Sequence, residues 1–422
     1  MDKSKIMRKL LILIALMIVP IGAWAQYTLE DCVSKARENY PAIKRFKIIE
    51  AVEGYMVSNA GKSYLPQITL SAKGSYQSDV TSVPVNIPGV TIPALSKDQY
   101  GVTLNIEQTI WDGGAVSSAK EEIAAKREAD ESELEVELYA IKERVTQLYF
   151  GILLIDEYQK ELGVLKEDLK RGKSRVEAFI NAGVANSSDL DAFLAEEIAI
   201  KQREISLISD RESYISVLGL MTGDEMVGTV ALSKPEMTIG SFDIKRPELQ
   251  MFEDKMTLLD VKKRGLDVRN MPKFGVFVQT GYGKPALNML SNKFEPYYIA
   301  GVRMVWNIGG FYTKSNDVRL IDLQKSMIQS SSDQFLYNIN LKSTGERARI
   351  EKLKSLLESD KELIELRTSL LNAAEMKLSN GTISTSDYLK ELNNLDSARS
   401  SKARREIELL GAINDLKNSL NT

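Results

Sequence analysis

The chain has 422 residues, of which 43 % are hydrophobic, and a formal net charge of −3. It can therefore bury a large core, and it is not a basic nucleic-acid binder. It contains no histidine and one cysteine, which excludes histidine-based catalysis, imidazole metal ligands, cysteine zinc sites and an internal disulfide. No G-x-x-x-x-G-K-[ST] phosphate loop occurs in the sequence. The sequence therefore predicts no enzyme, no cofactor and no metal site.

The first 25 residues have the features of a secretory signal peptide. Four basic residues precede an apolar run over 10–22, and Ala23-Trp24-Ala25 forms a small-x-small cleavage site. The run is short for a spanning helix, so cleavage is favoured over a retained anchor, and the mature chain is expected to begin near Gln26. Residues 1–25 carry four basic residues and one acidic residue, so their removal takes the formal charge from −3 to −6.

Four segments further along alternate between apolar and polar residues, as membrane strands do. The alternation is clear over 100–111 and weaker over 68–76, and it returns at 274–282 and 298–306. Each segment has about nine to eleven residues, the length of a tilted strand that crosses a bilayer. The alternative is a soluble antiparallel hairpin with one wet face.

Polar and aromatic residues in these segments indicate the faces and the ends of the strands. An apolar exterior and a polar interior are typical of membrane barrels. The polar residues are candidates for the barrel interior or, alternatively, ordinary solvated strand residues: Lys73, Asn105, Glu107, Gln279 and Arg303. The aromatic residues near strand ends are expected at the membrane interfaces: Tyr76, Tyr100, Trp111, Tyr282, Tyr298 and Trp306.

Two stretches without proline predict very long helices. No proline occurs over 94–234 or over 297–422, and proline breaks helix interiors. Apolar residues recur there at the spacings of coiled-coil seams: Leu134, Leu138, Ile141, Val145, Leu148, Ile152 and Ile155 in one, and Ile350, Leu353, Leu357, Ile364, Leu371 and Leu378 in the other. A continuous helix over 114–181 would span roughly 100 Å, which suits an elongated bundle or tube.

The two halves of the chain repeat each other. Gly74-Ser75-Tyr76 matches Thr280-Gly281-Tyr282, and the segment 183–190 matches 381–388. Each half reads helix, strand, strand, long helix, helix. We expect a first repeat over 26–222 (strands about 67–78 and 98–111, helices about 114–181 and 187–221), a linker over 223–246, and a second repeat over 247–422 (strands about 273–283 and 297–307, helices about 310–379 and 385–420).

The predicted strands indicate an oligomer. Four strands cannot close a membrane barrel, which needs about eight or more, and an open edge in lipid leaves backbone groups unpaired. Two copies would give eight strands and three would give twelve. An eight-stranded barrel is filled by side chains, so a conducting pore favours three copies.

These features resemble the TolC-like outer-membrane efflux proteins over essentially the whole mature chain. The similarity rests on the order and duplication of four short motifs: Tyr27-Thr28-Leu29-Glu30-Asp31-Cys32, Asn39-Tyr40-Pro41, Tyr64-Leu65-Pro66-Gln67 and Trp111-Asp112-Gly113-Gly114. The resemblance implies an α+β homotrimer. Its twelve-stranded barrel would lie in the outer membrane of a Gram-negative-type cell and continue into a long α-helical barrel in the periplasm.

The resemblance also implies partners and a direction. Such proteins dock to a periplasmic adaptor, which joins them to an inner-membrane pump, and substrates pass passively. Residues 77–99 and 283–297 would be external loops. The turns at 181–188 and 379–386 would form the periplasmic tip, where Gly183, Val184, Gly381 and Thr382 would face the adaptor.

The tip carries the candidate gate residues. In the family, a carboxylate just after the second tip turn lines a constricted entrance, and Asp387 matches it. Asp189, beside Ser188, is its counterpart in the first repeat. Three copies of Asp387 would attract cations, whereas the alternative for these residues is helix capping. The chain departs from the best-known members because it has Leu378 and Ile383 at positions of locking contacts, and Lys390 where a second acidic ring would fall.

The sequence thus predicts a non-enzymatic exit duct for small molecules in a tripartite efflux system. One alternative is a type I protein-secretion outlet, which the sequence does not distinguish from an efflux outlet. An alternative of another class is a soluble periplasmic coiled-coil adaptor or scaffold. The two bilayer-length hairpins with aromatic ends argue against that alternative.

Overall fold

The computed structural model describes residues 27–81, 95–226, 230–236 and 243–421. The predicted signal peptide and the prolines of the first predicted external loop (Pro84, Pro88 and Pro93) lie outside the described residues. Within these ranges the chain is mainly helical with one small sheet, which confirms the predicted combination of long helices and few strands.

The described elements follow the predicted order. The helices are α1 (Leu29–Asn39), α2 (Arg45–Lys62), α3 (Ala115–Asn181), α4 (Ser187–Thr222), α5 (Pro247–Arg269), α6 (Phe311–Ser379) and α7 (Thr385–Leu420), with short 3-10 turns at Pro41–Lys44 and Ile308–Gly310. The strands are β1 (Gln67–Tyr76), β2 (Asp98–Trp111), β3 (Lys273–Lys284) and β4 (Glu295–Val305). β4 begins two residues earlier than expected because Glu295 already pairs with Gly283 of β3.

The chain divides into two compact units, and each combines segments from both sequence repeats. The sheet unit consists of residues 44–135 and 247–334. The helical unit consists of the described parts of 1–43, 136–246 and 335–422. None of the described helices carries an apolar stretch long enough to span a membrane.

The sheet unit contains one antiparallel sheet in the order β1-β2-β3-β4. Directly paired residues of antiparallel strands point to the same face of a sheet, and successive residues alternate between the faces. The register joins Thr69, Asn105, Gln279 and Ile299 in one row. The backbone edges of β1 and β4 are the two outer edges of this sheet.

The passage from β2 into α3 explains the residues of the Trp111-Asp112-Gly113-Gly114 motif. The Asp112 carboxylate accepts hydrogen bonds from the backbone N–H groups of Gly114 (2.9 Å) and Val116 (2.7 Å), so it satisfies donors that the first turn of a helix leaves open. Gly113 has a φ of +71°, and a Cβ there would lie 2.5 Å from the Cβ of Met271. Asp and Gly are therefore required by local geometry.

Among the described residues, the core of the helical unit includes two apolar clusters of side chains. The cluster nearer the tip joins α3, α4, α6 and α7 through residues that include Leu169, Phe193, Leu378 and Leu392. A second cluster packs α6 against α7 through residues that include Ile350 and Leu416. Most of the seam residues predicted for α3 are buried, among them Leu138, Val145 and Ile152, because the seam faces the neighbouring helices.

Charged pairs join the same helices at points between the apolar contacts. Asp168 of α3 is buried and pairs with Arg399 of α7 at 3.1 Å and with Arg171 of its own helix. Asp360 of α6, also buried, pairs with Arg405 of α7. A buried charge is costly unless it is paired, so each of these carboxylates requires its arginine on the partner helix.

The start of the described chain is fixed to the helical unit. Tyr27 forms a parallel β-bridge with Leu232 of the inter-repeat linker. The hydroxyl of buried Tyr149 lies 2.8 Å from the carbonyl oxygen of Tyr27 and 2.6 Å from that of Ser233. One side chain of α3 therefore holds both segments through their carbonyl groups.

Candidate functional site

The two tip turns have the same backbone geometry. In the first, the N–H of Gly183 donates to the carbonyl of Ile180 (3.0 Å), and that of Val184 donates to Phe179 (2.8 Å). In the second, Gly381 donates to Leu378 (3.0 Å) and Thr382 donates to Lys377 (2.9 Å). The glycines have φ values of +74° and +66°. This left-handed conformation ends both helices in the usual way, and it leaves Gly183, Val184, Gly381 and Thr382 exposed.

Each helix after a tip turn begins with a capping box. At α7 the Asp387 N–H donates to the Ser384 hydroxyl (3.1 Å), and the Asp387 carboxylate accepts from that hydroxyl (2.7 Å) and from the Ser384 N–H (3.4 Å). At α4 the capping residue is Asn186, and the carboxylate of Asp189 accepts from its N–H (3.3 Å). Ser188 donates its N–H to the Asn186 side chain (3.0 Å) and does not cap the helix itself.

Asp387 remains exposed although it caps a helix. The hydrogen bond from the Ser384 hydroxyl is the main cause that lowers the pKa of Asp387, and the Ser384 N–H and Lys390 lower it further. The carboxylate is therefore ionised at neutral pH. Among the described side chains, Lys390 forms no salt bridge with Asp387 within 4.0 Å and is exposed.

The two residues that depart from the best-known family members take part in apolar packing. Leu378 is buried in the cluster near the tip, and Ile383 packs against that cluster from the second tip turn. Both side chains thus attach the turn to the helices of the same chain.

The five candidates for a barrel interior lie on one face of the sheet, here called the polar face. The register pairs Asn105 with Gln279 directly, and it places Lys73 and Glu107 at alternating positions of the same side. Arg303 reaches Glu107 with an Nη1–Oε1 distance of 2.9 Å. No local sequence pattern indicated this ion pair, since its members are 196 residues apart.

The opposite face of the sheet is apolar and exposed in the single chain. It consists of side chains from all four strands: Ile68, Leu70, Tyr76, Val102, Val276, Val278, Tyr282, Tyr298, Val302 and Met304. Leu70 is 70 % exposed and Val302 is 84 % exposed. Exposed apolar area on this scale indicates contact with another protein or with a membrane.

The predicted interface aromatics lie at both ends of the sheet. Tyr76, Tyr100, Tyr282 and Tyr298 are near the loop ends of the strands, where Phe294 stacks on Tyr100 and Tyr282. At the helix ends, the rings of Trp111 and Phe274 are 5.7 Å apart, and the indole N–H of Trp306 donates to the Asn270 carbonyl (3.0 Å). Interface aromatics are expected at these positions.

Two helices of the helical unit expose apolar stripes near the tip that sequence patterns only partly indicated. Leu194, Ile198, Ile205 and Ile208 form a stripe with heptad spacing on α4. Leu363, Leu366 and Leu370 form the second stripe on α6.

Within the described residues, no group of three or more acidic or cysteine side chains is placed to hold a metal ion.

Comparison with known proteins finds one family that part of the chain resembles. Residues 32–212 match the model of the outer membrane efflux protein family. No curated protein matches the sequence significantly.

Solved outer-membrane channels share the fold. The channel OprN is 17 % identical, with a TM-score of 0.65 over 93 % of this chain and 89 % of its own. The Campylobacter jejuni channel CmeC is 16 % identical, with a TM-score of 0.62 over 93 % of this chain and 85 % of its own. The open state of the Neisseria gonorrhoeae channel MtrE is 12 % identical, with a TM-score of 0.62 over 93 % and 88 %. The family match and this shared fold confirm the resemblance to the TolC-like outer-membrane efflux proteins that the sequence motifs indicated.

Proposed function

We propose that this chain is one protomer of a trimeric outer-membrane exit duct. The observation that carries the proposal is the four-stranded sheet, which has one mainly apolar face, one polar face and two open edges. Exposure of such an apolar face to water is unfavourable, and open edges in lipid would leave backbone N–H and C=O groups without hydrogen bonds. A barrel shared between copies satisfies both requirements, because the apolar faces meet lipid and each β1 edge pairs with a β4 edge.

Three copies suit the proposed activity. Four strands per chain give twelve in a trimer, which leaves space for a lumen, whereas eight strands would be filled by their own side chains. The exposed stripes on α4 and α6 support the same assembly. Both begin close to the tip turns and have the spacing of coiled-coil seams, so α4 of one copy can pack against α6 of the next.

The duct would serve a tripartite efflux system. An inner-membrane pump would drive small molecules through the duct, and a periplasmic adaptor would contact the exposed tip turns at Gly183, Val184, Gly381 and Thr382. The two turns have the same hydrogen bonds and the same glycine conformation. A trimer would therefore present six similar turns to the adaptor.

Asp387 would form a ring of three carboxylates at the tip, with Asp189, Ser188 and Lys390 close to the entrance. Asp387 is ionised at neutral pH, because the Ser384 hydroxyl lowers its already acidic pKa further, so the ring would attract cations and oppose anions. Capping and pore lining are compatible roles, since the side chain is exposed while it accepts the capping hydrogen bonds.

Planar-bilayer recordings test the duct and its gate together. The parent protein is expected to give discrete conductance steps. Asp387→Asn removes the charge and keeps an oxygen that can accept the capping bond, so we expect weaker cation preference and weaker block by multivalent cations. Ser384→Ala is the matched control, because it removes the capping hydroxyl and keeps the carboxylate.

Two results would contradict these assignments. A parent protein that never conducts, although it inserts into the bilayer, contradicts the duct. Equal selectivity and equal block in the parent and in Asp387→Asn would show that Asp387 is a capping residue only.

A further inference from the structure

We propose that Glu107 determines the ion selectivity of the barrel because it fixes and neutralises Arg303 on the polar face of the sheet. The inference rests on the proposed function, since it takes the polar face to line a conducting lumen. It concerns side chains of the strands, and it does not depend on the role proposed for the carboxylates at the tip turns.

The Arg303 side chain crosses one whole strand to reach its partner. Arg303 is on β4 and Glu107 is on β2, with β3 between them. The guanidinium passes over the ring of Phe277 on β3, where its central carbon is 5.2 Å from the ring centroid. Its Nη1 then lies 2.9 Å from Oε1 of Glu107. The cation is therefore held by a cation–π contact and by an ion pair at the same time.

Phe277 can support the arginine because it lies over a glycine. The register places Phe277 between Glu107 and Gly301 in one row. A Cβ at Gly301 would be 3.1 Å from the Phe277 ring, so the ring covers the backbone of β4. Aromatic residues that cover a cross-strand glycine are a known means of fixing strands.

The same arrangement occurs a second time on this face. A Cβ at Gly281 would be 2.6 Å from the ring of Tyr297, and the Tyr297 hydroxyl is 3.1 Å from the Thr103 hydroxyl. The long side chains of the polar face are thus fixed along the sheet at two levels. At the first level Glu107 binds the end of the Arg303 side chain, and at the second level the Thr103 hydroxyl binds the end of the Tyr297 side chain.

The ion pair affects the electric field at the polar face much more than it affects the stability of the fold. The side chains of Arg303 and Glu107 are 49 % and 50 % exposed, and ion pairs of this kind contribute little to stability. Without Glu107, however, each copy would present an unbalanced guanidinium close to Lys273, which lies in the next row of the same face. A ring of such charges repels cations and attracts anions.

Reversal potentials across a salt gradient measure this effect in planar bilayers. We expect Glu107→Gln to shift the permeability ratio toward anions by roughly twofold. Each copy then carries one unbalanced positive charge, that of Arg303, and its field in salt water acts only at short range. Arg303→Gln should shift it toward cations. The double variant should return close to the parent, since both charges of the pair are then absent.

Glu295→Gln is the matched control. Glu295 lies on the same face, but its carboxylate accepts a hydrogen bond from the Ser291 hydroxyl (2.8 Å) and pairs with no arginine of the described part of the chain. Its effect should add to that of Arg303→Gln without any coupling. The coupling between residues 107 and 303 is the quantity that the proposal predicts.

The outcomes separate the two proposals. Channels that conduct but show no selectivity change in Glu107→Gln, or an equal coupling for Glu295, would overturn the role of Glu107 and leave the duct intact. Failure of the parent protein to conduct would overturn both.

Discussion

Replacing Arg405 with methionine is expected to destabilise the protein by about 3–5 kcal/mol, because it leaves the buried carboxylate of Asp360 without its partner. Asp360 is 4 % exposed, and its Oδ1 pairs with the Arg405 guanidinium on the next helix. Its other oxygen, Oδ2, is buried without a hydrogen bond. Among the described residues, no second cation is within salt-bridge distance of Asp360 to replace the lost arginine. Thermal unfolding in detergent, followed by circular dichroism, measures the loss.

The neighbouring arginine provides a matched control. Arg404 belongs to the same helix and pairs with Glu408 at 3.8 Å, but both side chains are exposed. Arg404→Met should therefore change the stability by at most about 1 kcal/mol. The double variant Asp360→Leu with Arg405→Met should recover most of the loss, because it removes both buried charges. Equal losses in Arg404→Met and Arg405→Met would contradict the importance of the buried pair.

Replacing Gly172 with alanine is expected to destabilise the helical unit by about 1–3 kcal/mol through overpacking. A Cβ at Gly172 would lie 2.7 Å from the ring of Tyr388 and 2.8 Å from that of Phe193. These rings are 3 % and 0 % exposed, and their centroids are 6.0 Å apart. Neither ring can move into free space. Alanine therefore forces the helices apart although it is the better helix former.

Gly163 in the same helix should respond with the opposite sign. It is exposed, and a Cβ there would have no neighbour within 4 Å. Gly163→Ala should therefore raise the stability by up to about 1 kcal/mol through helix propensity alone. The same thermal unfolding measurement compares the two variants. A gain in both would show that the ring contacts at Gly172 adapt without cost.

Features that belong to a single helix or strand could be predicted from the sequence. The heptad seam gave the buried side of α3, since a helix with 3.6 residues per turn repeats its contacts at fixed spacings. Alternation in the strands gave their two faces, and Lys73, Asn105 and Gln279 do share one face. Proline-free stretches limited the positions of the long helices.

Contacts between two elements could not be predicted from the sequence, because they depend on how the elements are aligned with each other. The chain has 58 acidic residues, and nothing local distinguishes Asp168 and Asp360, which are buried, from exposed carboxylates. The Arg303–Glu107 pair depends on the register across three strands. The capping residue of α4 is Asn186, because the helix begins at Ser187, one residue before Ser188. Sequence patterns locate helix ends only to within about one or two residues.

The central claim is that copies of this chain share one barrel, and the particle mass of membrane-extracted protein tests it most directly. Light scattering in detergent, with the detergent contribution subtracted, gives the protein mass of the particle. The shared barrel predicts about three mature chains per particle, obtained only when detergent is present, because the apolar face of the sheet must stay covered. A monomer or dimer that is soluble without detergent would contradict the duct and would favour a periplasmic scaffold.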